Sequence, residues 1–203
     1  KDVNLFRINL SHTALDDVPG IISKIQSWTD VPICLDSEGA QVRNGFMGNG
    51  HTVYQTGDSV YIHADAIVGD RQNISFTPDS VFSQLNTGDE IRVDFDSVVF
   101  RITGKEGKHL MATVLQGGRV GSNKGAVVSK LLQLAPITPK DKAAFEIGLT
   151  MGIKNFALSF THCADDVHRV REIIGDRTLI SKIESIQGIL NLNPFLSSSN
   201  TLI

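Results

Sequence analysis

Glycine divides this chain. Twelve of the 18 glycines lie between Gly45 and Gly125, and six lie outside that span. Glycine weakens helix and strand interiors and favours tight turns. The middle is therefore expected to be short elements joined by turns, and the flanks longer regular ones.

The middle reads as strands. Val53 to His63 alternates loosely around a Thr56-Gly57-Asp58 turn, and Asn86 to Asp89 is a second turn ahead of Glu90 to Val93. Val98 to Thr103 and His109 to Leu115 flank Gly104-Lys105-Glu106-Gly107, a hairpin signal. Regular spacing of this kind predicts a small antiparallel barrel.

The flanks alternate strand and helix. Val3 to Leu10 predicts a strand, Thr13 to Trp28 a helix with Pro19 in its first turn, and Val31 to Leu35 a strand. After the middle, Thr138-Pro139 opens a helix through Thr150, with Thr as N-cap and Pro in the first position. Asn155 to Phe160 predicts a strand, Ala164 to Ile174 a helix closed by Gly175, Leu179 to Ile183 a strand, and Thr201 to Ile203 the start of another. The order is βαβ, an all-β insert, then αβαβ. Such alternation implies a parallel sheet or a (β/α) barrel. The boundaries expected are 1–39 and 136–203 for the α/β part and 40–135 for the insert. Because the chain opens without Met and stops in an apolar run, it reads as part of a longer polypeptide whose remainder closes the barrel.

Composition narrows the partners. Nineteen basic and 22 acidic residues give a net charge of −3, so no basic field suits nucleic acid. No apolar run approaches the ~18 residues of a membrane span. Cys34 and Cys163 have no CxxC partner, which argues against a disulfide framework or a zinc site and for a reducing, cytoplasmic setting.

In parallel α/β folds, sites form where strands end at their carboxyl side. The first strand delivers Arg7, Asn9, Ser11 and His12, with alternation aiming Arg7, Asn9 and Ser11 the same way. The second delivers Asp36, Ser37 and, just beyond, Arg43; later strands deliver Ser159 and His162, then Lys182 and Glu184. Arg7 and Asp36 suit an ordinary ion pair equally well. Lys182 and Glu184 are harder to dismiss, because charges in a buried parallel strand are costly unless paired or used. The run Gly117 to Gly125 places glycines beside Lys124, which suits phosphate, but it misses the P-loop spacing and reads equally as a loop ending the small barrel.

Together these segments resemble pyruvate kinase. Phe6-Arg7-Ile8-Asn9-Leu10-Ser11-His12 is similar to the family's Arg-Leu-Asn-Phe-Ser-His, and Leu35 to Gly45 to its Leu-Asp-Thr-Lys-Gly-Pro-Glu-Ile-Arg-Thr-Gly. Gly117 to Gly125 resembles Gly-Gly-x-Leu-Gly-Ser-x-Lys-Gly, Thr138 to Asp141 the Ser-Glu-Lys-Asp helix start, and Ile180 to Gly188 Ile-Ser-Lys-Ile-Glu-Asn-x-Glu-Gly. Departures fall at Glu38, Ala40 and Gln41, where the family has Lys, Pro and Glu, and at His162-Cys163, where it has Arg-Lys.

The resemblance implies an α/β chain: a partial (β/α)8 TIM barrel carrying an inserted all-β lid. It implies phosphoryl transfer between phosphoenolpyruvate and ADP. Lys182 and Arg7 would be catalytic, and Glu184 would hold Mg2+ or Mn2+. Asn9, Ser11, Asp36 and Ser37 would hold K+, and Arg43, His12 and Lys124 would face the nucleotide. It further implies a homo-oligomer assembled through parts outside this chain. The alternative is a paralogue of the family with another substrate, or with a binding or regulatory role.

Overall fold

The computed structural model describes residues 3–195 and 199–203. In chain order the elements are β1 (Phe6–Asn9), α1 (Val18–Trp28), β2 (Ile33–Asp36), β3 (Val42–Asn44), β4 (His51–Tyr54), β5 (Ser59–His63), β6 (Asn73–Thr77) and α2 (Ser80–Gln84). They continue as β7 (Glu90–Val93), β8 (Val98–Glu106), β9 (His109–Gln116), β10 (Gly118–Gly121), β11 (Gly125–Val128) and α3 (Pro139–Thr150). Last come β12 (Asn155–Leu158), α4 (Ala164–Ile174), β13 (Thr178–Ser181), α5 (Ile186–Leu190), α6 (Leu192–Phe195) and β14 (Thr201–Leu202). Two compact units result, one of residues 1–40 with 135–203 and one of residues 41–134.

The first unit is built on a five-stranded sheet in the order β1-β2-β12-β13-β14, every neighbouring pair parallel. All four residues of β2 are buried, as expected of an inner parallel strand. Its core joins Ile8, Ile22, Leu35, Phe145, Phe156 and Val170. Phe145 of α3 meets Phe156 of β12 edge-on, with ring centroids 4.9 Å apart. A methyl group at Gly148 would lie 2.5 Å from Leu35 Cδ1, so glycine there lets α3 press onto β2.

Local chemistry fixes the helix ends. Thr138 Oγ1 accepts the Asp141 N–H at 3.0 Å while Asp141 Oδ2 accepts the Thr138 N–H at 2.9 Å, a capping box that starts α3. Gly175, with φ +60°, ends α4. The expected helix from Thr13 starts later: tight 3-10 turns at Leu10–His12 and Leu15–Asp17 precede α1, and Pro19 sits in its first turn.

The second unit is a closed barrel of seven strands in the order β11-β3-β6-β5-β9-β8-β7, with β10 and β4 forming a separate pair. Closure removes the unpaired edges that an open sheet would expose. Val60, Ile62, Ile74, Ile91, Phe100 and Ile102 fill it. It departs from a purely antiparallel design at one place: β5 and β6 run parallel, which the crossing connection 64–72 permits. The β8–β9 hairpin also turns later than its glycines suggest. A bulge at Thr103 keeps Gly104 in the strand, opposite Met111, and the turn falls at Gly107, with φ +58°. The Gly117 to Gly125 run is not a plain loop: it supplies β10, paired with β4, and the start of β11, paired with β3 and β7.

No helix among the described residues is long and apolar enough to cross a membrane.

Candidate functional site

Four parallel strands bring their carboxyl ends together in the first unit. The register sets Asn9 beside Asp36, and Leu158 beside Ser181. The strand ends carry buried polar groups. Asp36 and Ser37 are each 1% exposed, and Ser159, one residue past β12, is 3% exposed.

Asp36 is the hub. Lys182 Nζ stands 3.2 Å from its Oδ2 and 3.3 Å from its Oδ1. The Arg7 guanidinium pairs with the same Oδ2 from the rim, its own side chain 56% exposed. A carboxylate this deep would be costly alone, and two cations offset that cost. Ser159 Oγ completes the arrangement, at 2.8 Å from Lys182 Nζ, 2.7 Å from the Ser37 carbonyl and 3.2 Å from Asp36 Oδ1.

Lys182 and Glu184 lie past the end of β13, which stops at Ser181, so they are not strand residues as the sequence suggests. The Lys182 N–H still donates to the Leu158 carbonyl at 2.9 Å, which carries the extended path one step further. Glu184 Oε1 is 3.5 Å from Lys182 Nζ, and its Oε2 accepts the Phe160 N–H at 3.1 Å. Phe160 adopts φ +53°, a left-handed conformation that costs a non-glycine residue about 1–3 kcal/mol, and it uses that conformation to aim its N–H at Glu184.

Asn9 and Ser11 do not continue one strand face. Ser11 sits in the 3-10 turn, where its N–H donates to Asn9 Oδ1 at 3.1 Å, and His12 beside it is exposed. The loop after β2 is pinned to α3. Asp141 accepts the Glu38 N–H at 2.7 Å and the Gly39 N–H at 3.2 Å, and Lys140 Nζ pairs with Glu38 at 2.8 Å. A Cβ at Gly39, with φ +73°, would lie 2.4 Å from the Ser159 carbonyl oxygen, so only glycine lets this loop lie against the site.

Arg43 and Lys124 belong to the second unit. Arg43 donates to the Asn123 carbonyl at 2.8 Å, and the Lys124 N–H donates to Asn44 Oδ1 at 2.8 Å. Lys124 also lines a cavity of about 570 Å3 with His51, Asp94, Arg119 and Ser122.

Cys34, on β2, is a buried thiol rather than a reactive one. Burial, followed by the nearby Asp36 charge, pushes the Cys34 thiol up to about 12, so it stays protonated; Cys163 is free and half-buried.

The donors at these strand ends suit hard cations. Asp36, the Ser37 carbonyl, Asn9 and Ser11 present oxygens of the kind a monovalent ion takes. Glu184 offers a single carboxylate for a divalent one. Among the described residues no group of three or more His, Cys, Asp and Glu side chains is placed to hold a metal ion.

Sequence comparison agrees with the motifs. The family model for the pyruvate kinase barrel domain matches residues 1–203. The pyruvate kinase of Geobacillus stearothermophilus is 28% identical over 99% of this chain and 36% of its own length. That of Mycobacterium tuberculosis is 30% identical over 94% of this chain and 42% of its own length. The chain thus spans well under half the length of the curated relatives it matches. With the family's motifs at the strand ends and the barrel-domain model matching this chain across residues 1–203, the chain belongs to the pyruvate kinase family.

Proposed function

We propose that this chain forms part of a phosphotransferase that moves the phosphoryl group of phosphoenolpyruvate to ADP. In this reading the first unit is part of a (β/α)8 barrel and the second an inserted lid. The carrying observation is the Lys182 ammonium held at hydrogen-bond distance from Asp36 and Ser159, between Arg7 and Glu184. Phosphoryl transfer needs positioned positive charge around a group whose negative charge spreads as it moves.

Lys182 is the group that meets the phosphoryl in flight, and Arg7, exposed at the rim, neutralises it on arrival. Asp36 keeps both cations in place before substrate binds, so little reorganisation is needed at the moment of transfer. Bound ions would add Lewis-acid charge: Mg2+ or Mn2+ through Glu184, and K+ through Asn9, Ser11, Asp36 and the Ser37 carbonyl. His12 and Arg43 are assigned to the nucleotide, as is Lys124, whose cavity also carries Arg119 and Asp94. An inserted lid would serve such a reaction by excluding water, which favours transfer over hydrolysis. The setting proposed is cytoplasmic, with assembly into a homo-oligomer through parts of the protein outside this chain.

One observation favours a second reading, a family member with another acid-phosphate substrate. Glu38 puts a negative charge, paired with Lys140, in the loop beside the site. Thermal shift of the full-length protein separates the two. Phosphoenolpyruvate with Mg2+, at ~100 times its dissociation constant, adds about 2.7 kcal/mol of stability. No shift at millimolar phosphoenolpyruvate favours the second reading.

A further inference from the structure

We infer that Ser159 is a positioning residue for Lys182. Its kinetic consequence rests on the phosphoryl-transfer reading, whereas the coupling itself rests on geometry. Lys182 reaches the site on a side chain with four rotatable bonds. The two Asp36 oxygens, 3.2 and 3.3 Å from Nζ, leave the ammonium free to swing about the carboxylate. Arg7 competes for one of those oxygens. Glu184 Oε1 is a looser partner at 3.5 Å, so Ser159 Oγ, 2.8 Å from Nζ, is the shortest contact and the one that fixes the ammonium in space.

The hydroxyl is itself locked. It has one proton, for which the Ser37 carbonyl at 2.7 Å and Asp36 Oδ1 at 3.2 Å are the acceptors, and either choice leaves an oxygen lone pair for Lys182. The Ser159 N–H in turn donates to Ser37 Oγ at 3.0 Å, so the two serines clasp each other. Gly39 closes over the Ser159 backbone from the other side. A serine needed only to satisfy the Ser37 carbonyl would not also have to face an ammonium. With 3% of its surface exposed, no water replaces the hydroxyl without rearrangement.

The test uses Ser159→Ala, with the nearly isosteric Ser159→Cys as a second variant, in the full-length protein. Two quantities are read: the rate at which acetic anhydride labels Lys182, by mass spectrometry, and the split between kcat and KM for ATP formation. With thermal midpoints close to wild type, Lys182 labelling is expected to rise at least threefold. kcat is expected to fall about 10- to 100-fold while KM for both substrates stays within twofold. Labelling equal to wild type in a folded variant overturns the proposal, and so does a loss carried by KM alone. If the wild-type protein makes no ATP, the phosphotransfer reading fails and the labelling rate alone decides whether Ser159 holds Lys182.

Discussion

The Lys182 ammonium lies 3.2 Å from Asp36 Oδ2, on a carboxylate that is 1% exposed and also carries Arg7. The three groups are unequal. Asp36 is buried, Lys182 nearly so, and Arg7 is more than half exposed. Removing Asp36 therefore strands a buried cation, while removing Arg7 leaves Asp36 still paired. In the full-length protein, Asp36→Ala is expected to cost about 3–4 kcal/mol of stability and Arg7→Ala no more than about 1 kcal/mol. Denaturant midpoints of the two variants measure the difference, and equal losses would mean that the pair is not organised around Asp36.

Asp141 does more than cap α3. Its two carboxylate oxygens accept N–H groups from Thr138, Glu38 and Gly39, joining the helix start to the loop after β2. An asparagine there presents an NH2 group to one set of donors. Asp141→Asn should cost about 2–3 kcal/mol, seen as a lower thermal midpoint, and a midpoint within error of wild type would show that the loop is held elsewhere.

Two carboxyls give acid stability opposite signs. The Arg71 guanidinium and the Gln55 N–H hold the Asp58 carboxyl below its ordinary value of 3.8. Its contribution is present above that value and is lost as pH falls through the folded-state value. Burial holds the Asp141 carboxyl above its ordinary value despite the N–H groups that oppose the shift, so its contribution weakens as pH rises through the folded-state value. Asp58→Asn should therefore flatten the fall in thermal midpoint below about pH 4, whereas Asp141→Asn should not. Curves parallel to wild type at every pH would count against the Asp58–Arg71 pairing.

Some of this was legible in the sequence because it is local. The Thr138-Pro139 start and the Gly175 stop depend on neighbours one turn away, and both are present in the fold. The placing of Arg7, Asp36 and Lys182 at strand ends came from apolar runs broken by single charges. What escaped depends on register between distant strands. Gly118 to Gly121 becomes a strand only because Thr52 and Val53 lie opposite. His63 and His109 look scattered in the sequence, yet the β5–β9 pairing brings their rings together at a tilt, with centroids 4.2 Å apart. Ser159 stood at a strand end, but nothing in its sequence neighbourhood shows that its hydroxyl reaches Lys182.

The most direct test of phosphoryl transfer at these strand ends is ATP formation from phosphoenolpyruvate and ADP with Mg2+ and K+. It compares the full-length protein with its Lys182→Met variant. Phosphotransfer centred on Lys182 predicts ATP from the wild type and a loss of at least about 1,000-fold in the variant, with the fold retained. A full-length wild type that makes no ATP, or a variant that keeps its rate, would contradict it.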